Sequence, residues 1–282
     1  DNNITHVLFD HRKGYGNNIW NTSYIENKLD ANLNYNLFNP LVVCDICNRM
    51  NVHLTYIGDG CIFRSEKSIE PDLKVSKHSI VNIYTEKLLR RISDNMLYLR
   101  IRYPITKDMK PHCYLMKLIS YNKIIDVDNS VTFVPDVLHI VYHMMENKII
   151  GTFNLCSNYV NSIDLILKLG IEFDTHIDFK LLSREEHNKV IGERSNCIMD
   201  NSNLIEYCDD NNLTIKDTRQ LVDDVIHNMV EICKELHVCL CCQQRNTSLL
   251  NLGYQPLAND YHDNDRINEI FPLRLKYCQN CY

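Results

Sequence analysis

Apolar runs of strand length alternate with segments of helical spacing along most of the chain, and this alternation constrains the fold more than any other feature. Strands are expected at "ITHVLF", "VHLTYI", "LYLRIRYPI" (stopped by Pro104), "KIIDV" and "GTFNLC". Between them lie helical segments: "FNPLVVCDICNRM", "SIVNIYTEKLLRRI", "HCYLMKLISYN", "VPDVLHIVYHMME" and "NSIDLILKLG". The first follows an Asn-rich loop, with Asn39 as N-cap and Pro40 at the first helical position, and the last is closed by Gly170. Strands alternating with helices of this length predict an α/β fold, a Rossmann-like parallel sheet with helices on both faces. A long amphipathic stretch, "IKDTRQLVDDVIHNMVEICKEL", then separates this body from a cysteine-rich end. The expected organisation is a body over 1–210, a connecting helix over 211–236 and a small module over 237–282.

With 282 residues, 45% of them hydrophobic, the chain can bury a sizeable core. A net charge of −6 with no Lys/Arg run argues against nucleic acid as a partner. No apolar run reaches the roughly 18–20 residues of a membrane span, and no secretory n-region or h-region opens the chain. Of the 13 cysteines, most stand singly in apolar stretches (Cys113, Cys156, Cys197, Cys233), as suits buried thiols in a reducing cytosol. A cytoplasmic location is expected. Starting at Asp1 and stopping at Tyr282, the chain reads as a segment of a longer protein.

Two places carry chemistry. In "YIGDGCIF", Gly58 and Gly60 let the backbone turn or approach something closely, and they flank Asp59 beside Cys61. A carboxylate there raises a thiol pKa, whereas Lys117 or His78 would lower it. At the other end, Cys239 and Cys242, then Cys278 and Cys281, form two C-x2-C pairs about 35 residues apart. Two such pairs can close a tetrahedral four-thiolate zinc site, which leaves no position open for water and is structural. Cys241 is a bystander between ligands.

"ITHVLF", "YIGDGCIF", "LRIRYPIT", "IDVDNSVTF", "GTFNLCSN" and "GERSN", in that order over roughly 4–205, together resemble the nucleotide-rhamnose synthases. These are 3,5-epimerase/4-keto-reductases of the extended short-chain dehydrogenase/reductase class. The resemblance implies a dTDP- or UDP-4-keto-6-deoxy sugar as substrate, whose 4-ketone makes the C3 and C5 protons removable. It places the epimerase thiol on Cys61 and the epimerase lysine on Lys117. Substrate contacts fall on Asn129, Ser130 and Thr132 and on Arg194, Ser195 and Asn196. The reductase set departs from the pattern: Asp59 stands where the family has Thr, His78 or Ser79 where it has Tyr, and Asn82 where it has Lys. Asn82 lacks the charge that lowers a tyrosine pKa. The first βαβ unit and its Gly-rich phosphate loop are missing from the chain, and Gly14 and Gly16 in "KGYGNN" do not replace that loop.

The last 45 or so residues, "CLCCQQRNTSLLNLGYQPLAND…FPLRLKYCQNC", are similar to the zinc-binding module that opens the sugar C-methyltransferases. Gly253, Pro256, Leu257, Ala258, Asn259, Pro272 and Leu273 fit its pattern. This implies a C-methyltransferase domain in the same polypeptide. Three readings follow. One is an epimerase that has lost its reductase residues. Another is a full epimerase-reductase using NADP(H) and an upstream cofactor loop. The last is a substrate-binding scaffold.

Overall fold

The structure, a computed structural model, describes residues 4–10, 29–62, 76–107, 113–157, 159–173, 177, 179–183, 185–186, 198–235, 247–256 and 270–277. Strand β1 (His6–Asp10) is followed by helix α1 (Leu29–Leu33), a π turn (Asn34–Phe38) and helix α2 (Asn39–Arg49). Then come β2 (His53–Asp59), α3 (Lys77–Ile92) and β3 (Met96–Ile101). Short pieces follow: β4 (Pro104–Ile105), α4 (Tyr114–Ser120), β5 (Lys123–Ile124), β6 (Asp128–Ser130) and β7 (Thr132–Phe133). Next are α5 (Val134–Glu146), β8 (Gly151–Asn154), β9 (Tyr159–Asn161), α6 (Ser162–Glu172) and β10 (Lys180–Leu181). The last elements are α7 (Ser202–Asp210), α8 (Thr218–Glu235) and a hairpin of β11 (Thr247–Pro256) and β12 (Ile270–Tyr277).

The main sheet has the order β1-β2-β3-β8 and every pairing in it is parallel, as the alternation predicts. Residues of β3 divide strictly by parity, because successive side chains of a strand point to opposite faces. Met96 and Tyr98 join Leu54 and Tyr56 of β2 against Cys44, Cys47 and Leu89 of α2 and α3. Leu97, Leu99 and Ile101 pack the other way, on Val137, Ile140, Val141 and Met144 of α5 and on Leu204 and Cys208 of α7. The sheet is therefore buried on both faces, as a parallel sheet requires.

Helix α8 is no free spacer. Its Leu221, Val222, Val225, Ile226 and Met229 enter a core shared with Leu115 and Leu118 of α4 and Leu165, Ile166 and Leu169 of α6.

Three local expectations differ from the structure. "KIIDV" forms only the two-residue β5, paired with β10 outside the main sheet. Gly170 does not close its helix: it lies inside α6, and capping falls to Phe173, whose N–H reaches the Leu169 carbonyl at 3.0 Å. Nor does Asn39 act as an N-cap. Helical backbone already runs through α1 and the π turn, where the Asn39 N–H bonds back five residues to the Asn34 carbonyl. The cause is Pro40, which has no N–H to give the Asn36 carbonyl. Thr85 of α3 supplies the missing donor, its Oγ1 lying 2.5 Å from that carbonyl oxygen.

Candidate functional site

The carboxyl ends of β2 and β3 meet where ligands bind in open α/β sheets. There the two glycines of the "YIGDGCIF" motif show what they approach. A Cβ at Gly58 would lie 2.3 Å from the Tyr98 ring, and one at Gly60 would lie 2.5 Å from Met199 Sδ. The Gly60 N–H also bonds the Ile101 carbonyl at 2.8 Å. The close contacts are thus with the protein's own core, and they fix the strand end that carries Asp59 and Cys61.

Asp59 is the hub of this end. Its Oδ1 accepts the Cys61 N–H at 2.7 Å, and its Oδ2 lies 2.8 Å from Nε2 of the buried His78. Burial by itself would raise the Asp59 carboxyl. The hydrogen bond and charge of His78, with the Cys61 N–H, outweigh it and hold the group well below the usual carboxylate range. His78 is braced in turn. Asn82, one turn along α3, places its amide nitrogen 3.0 Å from the His78 carbonyl, and Asn36 from the π turn places its own 3.3 Å from His78 Nδ1. Both ring nitrogens of His78 thus have a partner, Nε2 in Asp59 and Nδ1 in Asn36. Single-turn π segments concentrate at functional sites, and this one aims a side chain into the candidate site.

Cys61 is half-buried and not part of a disulfide. The Ser79 hydroxyl donates to its carbonyl. Its Sγ faces Arg102, whose Nη1 is 3.2 Å away. Arg102 is 1% exposed, a depth that arginine almost never reaches without dedicated partners. Its Nη2 donates to Asn129 Oδ1 at 2.7 Å, its backbone N–H donates to Thr132 Oγ1 at 3.0 Å, and its guanidinium lies 4.7 Å from the centre of the Tyr103 ring. Tyr103 stacks on Tyr114 with centroids 4.5 Å apart and holds a left-handed backbone, φ 39°, just before Pro104. Such a conformation is uncommon for a bulky residue and persists only where packing dictates it.

The structure thus brings Cys61, Asp59 and His78 together. Lys117 sits half-buried on α4, on a turn whose neighbours Leu115, Met116 and Leu118 are buried. Asn129, Ser130 and Thr132 are all buried and bonded within the protein: Asn129 to Arg102, Ser130 Oγ to the Met199 N–H at 2.8 Å, Thr132 Oγ1 to the Leu155 carbonyl at 2.6 Å. Arg194, Ser195, Asn196 and the cysteines 239, 242, 278 and 281 lie outside the described residues, as do Gly14 and Gly16. Among the described residues no cluster of His, Cys, Asp and Glu could hold a metal ion, and no helix is long and apolar enough to cross a membrane. Sequence reasoning missed Arg102 and Asn36. The signal for Arg102 was present, since "LRIRYPI" sets two arginines two positions apart inside a buried strand.

No family model matches the chain. Protein L780 of Acanthamoeba polyphaga mimivirus is 32% identical over 190 residues, covering 63% of this chain and 66% of that protein. The crystal structure of the L780 UDP-rhamnose synthase matches with a TM-score of 0.68 at 27% identity, covering 77% of this chain and 79% of that one. A trifunctional UDP-glucose 4,6-dehydratase/UDP-4-keto-6-deoxy-D-glucose 3,5-epimerase/UDP-4-keto-L-rhamnose-reductase of Arabidopsis thaliana is 28% identical over 199 residues, 65% of this chain but only 30% of its own length. The dTDP-4-dehydrorhamnose reductase of Bacillus anthracis, solved with NADP, shares the fold at 12% identity, with a TM-score of 0.63 and 81% of each chain covered. On sequence and fold together, the chain is nucleotide-rhamnose-synthase-like, a homologue of rhamnose epimerase/reductase enzymes with a Rossmann-like α/β body.

Proposed function

We propose that the chain moves protons at C3 and C5 of a dTDP- or UDP-4-keto-6-deoxy sugar, inverting those centres in a rhamnose-type pathway. The observation that carries this reading is the placement of Cys61: a half-buried thiol at the carboxyl end of a parallel strand, with the Arg102 guanidinium 3.2 Å from its sulfur. Cys61 is the base that removes the proton made acidic by the neighbouring ketone, and Lys117 returns one to the opposite face. Asp59 and His78 are positioning residues, because their polar atoms are spent on the Cys61 N–H and on each other. The 66% coverage of the mimivirus relative and the resemblance of "YIGDGCIF" and "YLMKLIS" to epimerase motifs support the assignment.

A reductive step with NADP(H) is the second reading, and the residues present do not fit it. The resemblance places Tyr on His78 or Ser79 and Lys on Asn82, and the Asn82 amide carries no charge and is bonded to the His78 carbonyl. No hydride step is derived from this chain.

The C-terminal end is proposed to hold a structural zinc and to join a C-methyltransferase domain. The antiparallel hairpin supports it by pairing Thr247 with Tyr277, so the strand ends nearest in sequence to Cys242 and Cys278 lie side by side. Bound, the metal would cross-link two segments through four thiolates. Metal analysis should return one zinc per chain, lost in Cys239→Ser with Cys278→Ser.

The activity is tested by incubating the protein with each nucleotide-4-keto-6-deoxyglucose in D2O without NADPH and following the C3 and C5 proton signals by NMR. Exchange should occur, and Cys61→Ser and Lys117→Met should each slow it about 10²–10⁴-fold. Substrate binding without exchange would make the body a scaffold, and NADPH-dependent loss of the ketone would restore the reductase reading.

A further inference from the structure

A thiol acts as a base only as thiolate, and its environment decides how much thiolate exists at neutral pH. Every element around Cys61 contributes a group. Its own strand end supplies Asp59, an anion whose Oδ2 is faced by His78 from α3. Helix α3 also supplies the Ser79 hydroxyl, directed at the Cys61 carbonyl and not at the sulfur. From the end of β3 comes Arg102, in contact with Sγ itself. Strand β6 contributes the neutral Asn129 amide, which meets Arg102.

The balance is set by which charge is closest and least able to move. The guanidinium is held by the Asn129 side-chain oxygen and the Tyr103 ring, and the backbone that carries it is held by its bonds to Thr132. Arginine remains protonated at any working pH, and a fixed, desolvated donor stabilises an anion more than a mobile one in water does. Asp59 opposes it, and its carboxylate is also a hydrogen-bond partner of the Cys61 side chain; its charge is shared, however, with His78 and with the Cys61 N–H.

We infer that Arg102 is the positioning residue that keeps Cys61 as a thiolate, with Asn129 and Tyr103 holding the guanidinium in place. Asn129 thus serves the site through Arg102. The inference gives the proposed base its protonation state and rests on that reading only for its consequence, because the thiolate can be measured without substrate.

The test is the pH profile of iodoacetamide alkylation of the Cys61 peptide in the intact chain, read by mass spectrometry so that the other cysteines do not interfere. Cys61 should titrate at least one unit below the ordinary thiol value of about 8.5. Arg102→Gln should move the profile up by one unit or more, about a tenfold loss of thiolate near neutrality. Arg102→Lys should recover part of it. A wild-type thiol titrating at or above the ordinary value overturns the inference, whatever the variants do. So does an unchanged profile in a folded Arg102→Gln protein. If that variant does not fold, Asn129→Ala decides, since it releases the guanidinium and must raise the profile. A low-titrating thiol with no sugar proton exchange would leave Arg102 in its role and remove the epimerase reading. Exchange supported by an ordinary thiol would do the reverse.

Discussion

Arg100 and Arg102 lie two residues apart at the end of β3, both deeply buried, and they are held in opposite ways. Arg100 donates from Nε to Glu86 Oε2 at 2.9 Å and from Nη2 to Oε1 at 2.5 Å, a two-pronged pair with a carboxylate on α3, and adds Asn154 Oδ1 at 3.2 Å. Arg102 directs its guanidinium to an amide oxygen, an aromatic ring and a thiol. The first arrangement joins a strand to a helix and gains nothing from an ionisable sulfur. The second holds a fixed positive charge against a thiol that can become an anion. The same residue type, two positions apart, serves as a structural tie in one case and tunes a reactive group in the other.

That contrast can be broken by experiment. The largest stability effect is expected at Glu86→Ala, which strands Arg100 as a buried, uncompensated charge at a cost of about 3–5 kcal/mol in urea unfolding. The Cys61 alkylation profile should stay where it is. If instead it moves as far as in Arg102→Gln, the two arginines act as one network and the contrast fails.

Asp59→Asn should cost less, about 1–3 kcal/mol, as the bonds to His78 and Cys61 weaken. Its pH signature sharpens the comparison. The folded Asp59 carboxyl is depressed, so its contribution is fully present above the ordinary carboxyl value of about 4 and is lost as pH falls from there toward the folded value. Thermal melts of the parent should therefore drop below about pH 4, and the Asn variant should show a shallower drop. Equal slopes would mean that another carboxylate carries the acid sensitivity. The smallest effect is expected for Thr85→Val, about 1 kcal/mol, from the lost hydrogen bond to the Asn36 carbonyl, to which Pro40 has no N–H to give.

Much of the frame is legible in the sequence because a strand buried on both faces and a helix with one apolar face leave different periods. The segments ending at Arg49, Ile92 and Glu146 form the expected helices, and "VHLTYI" and "LYLRI" pair in register as central strands. What was not legible depended on distant partners. Pro40 alone does not announce a π turn beside "NYNLF", because the Asn36 carbonyl that it cannot serve is met by a threonine 49 residues away. Cys61 could be singled out from its motif, and Asp59 and His78 from where that motif departs from its relatives. Arg102 stood out only as a second arginine in a buried run; its role exists only once the ends of β2, β3 and β6 come together.

The π turn also bears on whether this site could accept the reductase residues that the resemblance implies. Asn36 fills the space against His78, and His78 is bonded to Asp59, so the three positions are interlocked. A tyrosine at 78 would have to displace an amide anchored by a different helix, and a lysine at 82 would place a full charge where a residue now 1% exposed is packed. Installing threonine, tyrosine and lysine at 59, 78 and 82 would rebuild a motif in the sequence without rebuilding the cleft. The segment Asn34–Phe38 acts as a lock: the residues packed around it put that other arrangement out of reach of single substitutions.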